Sequence, residues 1–540
     1  MWTLTCSVEW CAQAIFETSQ IQYSFMLFNS YEFLFLFLPV TFAAFFVLSG
    51  LGFLKAAAAW LALASIFFYA YWSPRYVVLL LVSIAINFAA GQAIAKYRNA
   101  HRPEISLRVL VSALIANLGA LAYFKYANFF VDSVNSAAAT DFSLAKIILP
   151  IGISFFTFTQ IAYLVDTFRG KVQEPRLIPY TLFVTFFPHL IAGPVLHHAE
   201  MMPQFARDNT YRFNLGNFTV GMAFFSLGLF KKVVLADGIQ PFVGPVFEAD
   251  TAYPLTLLEA WGGVLAYTLQ LYFDFSGYSD MAIGLSKMVN IDLPINFNSP
   301  YKATNISEFW RRWHMTLSRF LRDYLYVPLG GNRKGLVRRY VNLLLTMLLG
   351  GLWHGAGWTF VIWGGLHGLY LVCNTLWQRA RQRFFGHDLS RSTVSGRIIS
   401  TLITFICVVV AWVFFRATHF DAAISVLRGM LGFNGVVLPV TMQQYFSQFP
   451  SVADSWFSYG QLEASGGGRQ LAWIAMLLAL VWFFPNSQTL INQVCKTCAS
   501  LRVAREFWGW FSVGGLATLV FTLAAINGSH ASSEFIYFNF

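Results

Sequence analysis

The stretch that decides the fold is Val341-Asn-Leu-Leu-Leu-Thr-Met-Leu-Leu-Gly350-Gly351-Leu-Trp-His354-Gly355-Ala-Gly357-Trp358-Thr-Phe-Val-Ile-Trp-Gly-Gly-Leu-His367-Gly-Leu-Tyr-Leu-Val-Cys373-Asn-Thr-Leu-Trp377. It is an apolar run too long for one crossing. Its 37 residues, at about 1.5 Å each as helix, would reach near 55 Å, against ~30 Å of hydrocarbon. Arg338 and Arg339 precede it, and Arg379, Arg381 and Arg383 follow. Basic residues collect on the cytoplasmic side of a membrane, so both ends are expected there. The segment is therefore predicted to be re-entrant or broken at its glycines, with His354 at the break. Irregular backbone survives at membrane depth only where protein buries it or it lines a cavity. The pattern thus predicts a titratable side chain in a protected cavity.

The rest of the chain agrees with a membrane setting. Hydrophobic residues make up 57% of the 540 positions and charged ones 11%, less than half the roughly 25% of soluble domains. A water-soluble globule would have too little polar surface to cover itself, which excludes a cytosolic enzyme, a disordered chain and a collagen-like repeat. The net charge of +11 is read as cytoplasmic loops rather than nucleic-acid binding. The six cysteines do not form a disulfide framework, and Cys495-Lys-Thr-Cys498 has no second pair to complete a metal site.

Ten spans are predicted, at 32–50, 57–72, 77–95, 109–128, 147–166, 216–235, 257–285, 399–416, 471–484 and 507–527. The loop with Lys96, Arg98, Arg102 and Arg108 and that with Arg169, Lys171 and Arg176 are assigned to the cytoplasm; 129–146 and 417–470 are assigned outside. A second re-entrant segment is expected at 178–196, where Pro188-His189 and Gly193-Pro194 interrupt an apolar run. The expected organisation is an all-α polytopic membrane protein. Residues 1–25 form an extension, with translation expected to begin at Met26. A core follows at 26–420, an extracytoplasmic loop at 421–470, and C-terminal transmembrane helices at 471–540.

Residues 286–340 hold ten basic residues against Asp292, Glu308 and Asp323. Within them Trp310, Trp313, Leu317, Phe320, Leu321 and Tyr324 recur at helical spacing with arginines opposite, the pattern of an amphipathic helix lying in the interface. One reading is a headgroup anchor. The other is a cytoplasmic apron that also receives a phosphate-bearing substrate such as coenzyme A, because guanidinium groups suit phosphate. On that reading the substrate-binding candidates are Trp310, Arg311, Arg312, Trp313, Arg322 and Asn332.

The chain carries no G-x-S-x-G, no P-loop, no G-x-G-x-x-G, no H-E-x-x-H and no D-x-D, which argues against nucleotide hydrolysis, zinc proteolysis and polysaccharide synthesis. What remains are histidines. An ionisable residue in an intramembrane glycine-rich break is a functional candidate by default, and an imidazole can accept a proton and return it near neutral pH. That singles out His354. His314 follows Trp313 in the arginine-rich stretch, His367 is expected to pack, and His197-His198 lack a third metal ligand. No metal and no bound cofactor are expected.

The run Pro300-Tyr-Lys-Ala-Thr-Asn-Ile-Ser-Glu-Phe-Trp310-Arg-Arg-Trp-His314-Met-Thr-Leu-Ser resembles the signature of the membrane-bound O-acyltransferase family. So do Arg322-Asp-Tyr-Leu-Tyr-Val-Pro-Leu-Gly-Gly-Asn332-Arg, Gly350-Gly-Leu-Trp-His354-Gly-Ala, Asp274-Phe-Ser-Gly-Tyr-Ser-Asp280 and the opening Phe28-Asn-Ser…Phe33-Leu-Phe-Leu-Phe-Leu-Pro39. The resemblance covers about 26–420, and its nearest branch serves alginate O-acetylation, with teichoic-acid D-alanyl transfer further off. It implies a helical acyltransferase with a catalytic tunnel through the bilayer, with His354 in the place of the family's invariant histidine and His314 in that of its second. It also implies a cytoplasmic thioester donor, acetyl-CoA or another, a periplasmic acetyltransferase partner, and a cell-surface polysaccharide acceptor at the bacterial inner membrane. Peptidoglycan O-acetylation and D-alanyl transfer remain alternatives within this class. A transporter or a scaffold of a secretion complex would be the alternative of another class.

Overall fold

Long apolar runs without a period-2 alternation can satisfy their backbone groups inside a bilayer only as helices. The computed structural model describes residues 26–500 except 73, 173, 250–253, 387, 389–392, 441–457 and 461–463, and beyond 500 the stretches 514–516, 518–519, 522–523 and 535–536. Among the described residues strand is confined to a parallel pair, Val437–Pro439 with Ser458–Gly460; the remaining architecture is helical.

Among the described residues, seven helices are long and apolar enough to cross a membrane. They are α1 (Glu32–Gly50), α2 (Leu54–Trp72), α3 (Pro74–Asn99), α4 (Pro103–Ala138), then α6 (Leu215–Phe242), α11 (Trp358–Phe385) and α12 (Val394–Arg416). An eighth would be the bent pair Gly467–Phe483 and Ser487–Lys496, which meet at 54°. Their outer faces stay apolar: α1 buries Phe33 and Phe37 yet leaves Phe35 61% and Leu36 66% exposed. Such a surface suits lipid rather than water.

Six of the ten spans expected from sequence coincide with these helices, and 471–484 is the first limb of the bent pair. Two others are helical but lie inside the protein. α5 (Ile153–Phe168) has only 16 residues, nearly all buried, about 24 Å at 1.5 Å per residue. α7 (Leu257–Met288) has 32 residues and carries Glu259, Asp274, Asp280 and Lys287 in an almost wholly buried helix. Hydropathy alone does not separate a lipid-facing helix from one surrounded by other helices. Span 507–527 and extension 1–25 fall largely or wholly outside the described residues, as does much of 421–470.

The 341–377 segment is broken where the glycines predicted, but its arms form a helical hairpin. α10 (Leu336–His354) runs antiparallel to α11, because Gly351 meets Gly364 while Met347 and Leu344 lie against Gly364 and Gly368. A Cβ on Gly364 would come within 2.3 Å of the Met347 carbonyl, so only glycine allows this approach. α6 and α7 use the same device, with Gly221 against Gly284 and Gly228 against Gly277. The 178–196 run is a buried broken segment, with helices Leu177–Thr185 and Phe187–Leu190 separated at Phe186.

The amphipathic stretch departs from expectation. Instead of one interfacial helix it forms α8 (Ile306–Arg312) and α9 (Met315–Phe320), followed by a π turn at Leu321–Tyr326. The break is at Trp313-His314, and Trp310, Trp313, Leu317, Phe320 and Leu321 are buried within the protein rather than laid on lipid.

Candidate active site

α10 ends at His354, after which Gly355 takes an extended backbone and the chain turns into α11. The imidazole is buried, 4% exposed, within an aromatic wall. Its ring centroid lies 4.9 Å from Trp353, 5.0 Å from Trp363 on α11 and 5.3 Å from Phe415 on α12. α5 closes another side, since Phe158 stacks on Trp353 and on Phe320 of α9.

The break between α8 and α9 brings the second histidine into the same space. His314 has φ +41°, a left-handed backbone that a side chain other than glycine rarely adopts. Strain of this kind persists only where surrounding structure holds it. Here Asn296 does so. Its Oδ1 accepts the Thr316 N–H at 3.3 Å and the Thr316 hydroxyl at 2.9 Å, and lies 3.0 Å from His314 Nδ1. A backbone N–H can only donate, so the Asn296 atom is the oxygen, and His314 must donate from Nδ1. This places the lone pair of the neutral ring on Nε2. The centroids of His314 and His354 are 6.5 Å apart. That is too far for a direct hydrogen bond between the rings.

The remaining sequence candidates divide in two. Trp310 and Trp313 belong to the aromatic interior: Trp310 meets Trp363 at 5.9 Å, and Trp313 meets Trp412 at 5.0 Å. His367 packs among Trp310, Trp363 and Tyr370, as expected of a packing residue. Arg311, Arg322 and Asn332 lie on the exposed side. Arg312 pairs with Glu308 at 2.6 Å and Arg322 with Asp323 at 2.7 Å. Lys287 takes Asp292 at 2.6 Å, so each acid of this stretch is matched by a base of the same stretch. His197 faces Tyr324, whose hydroxyl lies 2.9 Å from Nδ1 and donates to Asp166 at 2.7 Å; His198 instead packs on Phe183.

Three features near the site escaped sequence reasoning. Asn296 has no motif of its own and acts only through the fold. Asp274, quoted above for its motif alone, forms a buried network in which Lys232 meets it at 2.8 Å and Asp237 at 2.9 Å, while it accepts the Ile536 N–H at 3.1 Å. Lys125 is the third. It lies on α4, is 8% exposed, and donates to the carbonyls of Trp353 and His354. A lysine inside a span was itself a legible signal.

The sequence model of the membrane-bound O-acyltransferase family matches residues 115–415. A peptidoglycan O-acetyltransferase of Helicobacter pylori is 46% identical, over 76% of this chain and 81% of that protein. A probable alginate O-acetylase of Azotobacter vinelandii is 43% identical, over 76% of this chain and 79% of the relative. A teichoic acid D-alanyltransferase of Streptococcus thermophilus is 28% identical over 43% of this chain and 58% of its own length.

Proposed function

Because the chain belongs to the membrane-bound O-acyltransferase family, we propose that it passes acetyl groups from a cytoplasmic thioester, acetyl-CoA or a similar donor, to hydroxyls of an exported cell-surface polysaccharide. That it is a multi-pass membrane acyltransferase follows from the family match and the apolar helices. The observation that carries the finer reading is the pair of buried histidines, His354 and His314, facing one aromatic space from two separate helix breaks.

In this reading the acceptor hydroxyl lies against His354, which takes its proton as oxygen attacks the thioester carbonyl. The tetrahedral intermediate collapses by breaking the carbon–sulfur bond, and the proton goes to the leaving thiolate. His314, with Nδ1 tied to Asn296, presents Nε2 to the acceptor and orients it. The arginine-bearing face of 286–340 receives the donor's phosphates, with Arg311, Arg312 and Arg322 as the guanidinium groups and Asn332 as a polar neighbour. Trp310 and Trp313 shape the wall along which the acyl arm passes. The hydroxyl at His354 belongs either to the polysaccharide or to a periplasmic acetyltransferase partner that then hands the acetyl group to the polysaccharide, and the protein resides in the bacterial inner membrane. Relatives named for alginate and for peptidoglycan support acetyl over other acyl groups.

The 46% identity to a peptidoglycan O-acetyltransferase favours a second acceptor within the same chemistry. One experiment separates them. Acetyl esters are measured by NMR on surface polysaccharide and on purified peptidoglycan from a deletion strain complemented with wild type or His354→Ala. Esters restored on the polysaccharide by wild type alone support the proposal. Esters restored on peptidoglycan alone replace its acceptor. Esters restored equally by His354→Ala remove the histidine from the chemistry.

A further inference from the structure

The carboxyl end of a helix exposes carbonyls that have no partner within the helix, and it carries the negative end of the helix dipole. In water the solvent satisfies them; in a bilayer the protein must. α10 ends at His354, so this problem falls on the turn that aims the imidazole. Its last three carbonyls are all engaged by a single turn of α4. Tyr126 donates its hydroxyl to the Leu352 carbonyl at 2.8 Å, while Lys125 Nζ donates to the Trp353 carbonyl, to the His354 carbonyl at 3.2 Å and to Ser154 Oγ at 3.3 Å.

Lys125 and Tyr126, neighbours in the chain, reach different carbonyls of that helix end. They do so from a π turn, Ala122–Tyr126, a bulge often found at functional sites. The lysine also lies 5.8 Å from the Trp353 ring centroid, above its face. Beyond His354 the chain has no slack: a Cβ on Gly355 would fall 2.1 Å from the Phe360 ring. The imidazole is thus set from one side by Lys125 and Tyr126 and from the other by a tight turn. A buried amine is costly to leave without partners, and Lys125 spends its donors on the helix end that carries His354.

We propose that Lys125 is a positioning residue for acyl transfer: it caps α10 within the bilayer and holds His354 at its working orientation, with Tyr126 as its accessory. The inference rests on the reading of His354 as the base. The donors of Lys125 go to Ser154 and to the carbonyls at the end of α10, so its loss is expected to act on turnover rather than on donor binding.

The test uses inverted membrane vesicles containing the full chain, with [14C]acetyl-CoA as donor, and kcat and KM for acetyl-CoA normalised to immunoblotted protein. Lys125→Met is expected to lower kcat about 100-fold, the scale of an ångström-sized misplacement, with KM within about twofold of wild type. Lys125→Arg, which keeps charge and donors, is expected to regain at least about tenfold of that loss. Tyr126→Phe removes one donor and is expected to lower kcat about threefold at constant KM. A wild-type kcat for Lys125→Met beside an inactive His354→Ala overturns the inference and leaves the base intact. A full rate for His354→Ala removes the reading on which it rests. A loss in Lys125→Met that Arg does not relieve makes the lysine a packing element only and overturns the inference. Should Lys125→Met fail to accumulate, Tyr126→Phe decides, and an unchanged kcat there counts against the proposal.

Discussion

For single residues, the candidate site is two imidazoles whose surroundings differ. His314 is fixed by an amide oxygen that also serves Thr316, whereas His354 is fixed through the helix end beneath it. The Asn296 hydrogen bond gives a direct prediction. Asn296→Ala should lower the rate of acetyl transfer at least about tenfold, and the double variant with His314→Ala should be no slower than His314→Ala alone, because both remove the same oriented ring. Initial rates of the four proteins close this cycle; a double variant at the product of the two single losses would give Asn296 a separate role. The sequence marked His354 by its glycines and His314 by the family signature. It said nothing of Asn296, which lies 18 residues from His314 and meets it only because the chain breaks between α8 and α9.

At the scale of elements, two helix pairs depend on glycine contacts. Gly364→Ala places a methyl group against the Met347 carbonyl, and should cost about 1–3 kcal/mol with matching loss of thermal stability in detergent. Gly119→Ala on α4 meets nothing within 4 Å and should leave the melting temperature unchanged. Between α6 and α7 the buried Lys232–Asp274 pair sets a stronger constraint. Lys232→Met alone should cost about 3–5 kcal/mol by stranding a carboxylate, and Lys232→Met with Asp274→Leu should recover much of the folded yield; a double variant as poor as the single would show that the pair is not what couples these helices. The start of α8 responds to pH. Burial pushes the Glu308 carboxyl up, but the Thr304 N–H and hydroxyl and the Arg312 guanidinium outweigh it and hold the group below the usual carboxylate range. Its folded pKa is thus lower than its unfolded one. The stability it adds is full above the ordinary value of about 4.3 and is lost as pH falls through the folded value. Glu308→Gln should therefore flatten the fall of melting temperature between about pH 5 and pH 3.

At the scale of the whole molecule, the arrangement is a shell of lipid-facing helices around buried ones, α5 and α7, that carry polar groups to the interior. The charge of the loops predicts its orientation. With native cysteines replaced, a cysteine at Asn99 should react with an impermeant maleimide only after the membrane is opened, and one at Ala139 should react in intact spheroplasts. The reverse pattern would invert the topology. That this chain is a helical membrane protein, where its longest apolar run breaks, which histidine occupies the break and to which family it belongs are all legible in the sequence. These are properties of composition, run length and local spacing, all read within a few tens of residues. Packing between distant segments makes α5 and α7 interior helices, folds the 341–377 run into a glycine-packed hairpin, and turns the aromatic stripe of 310–324 inward at a strained histidine. It also brings Lys125 to the end of a helix more than 220 residues away. The reason is physical: the bilayer constrains the length and polarity of each helix. Which faces meet, and which buried donor satisfies which carbonyl, is settled by packing among helices distant in sequence.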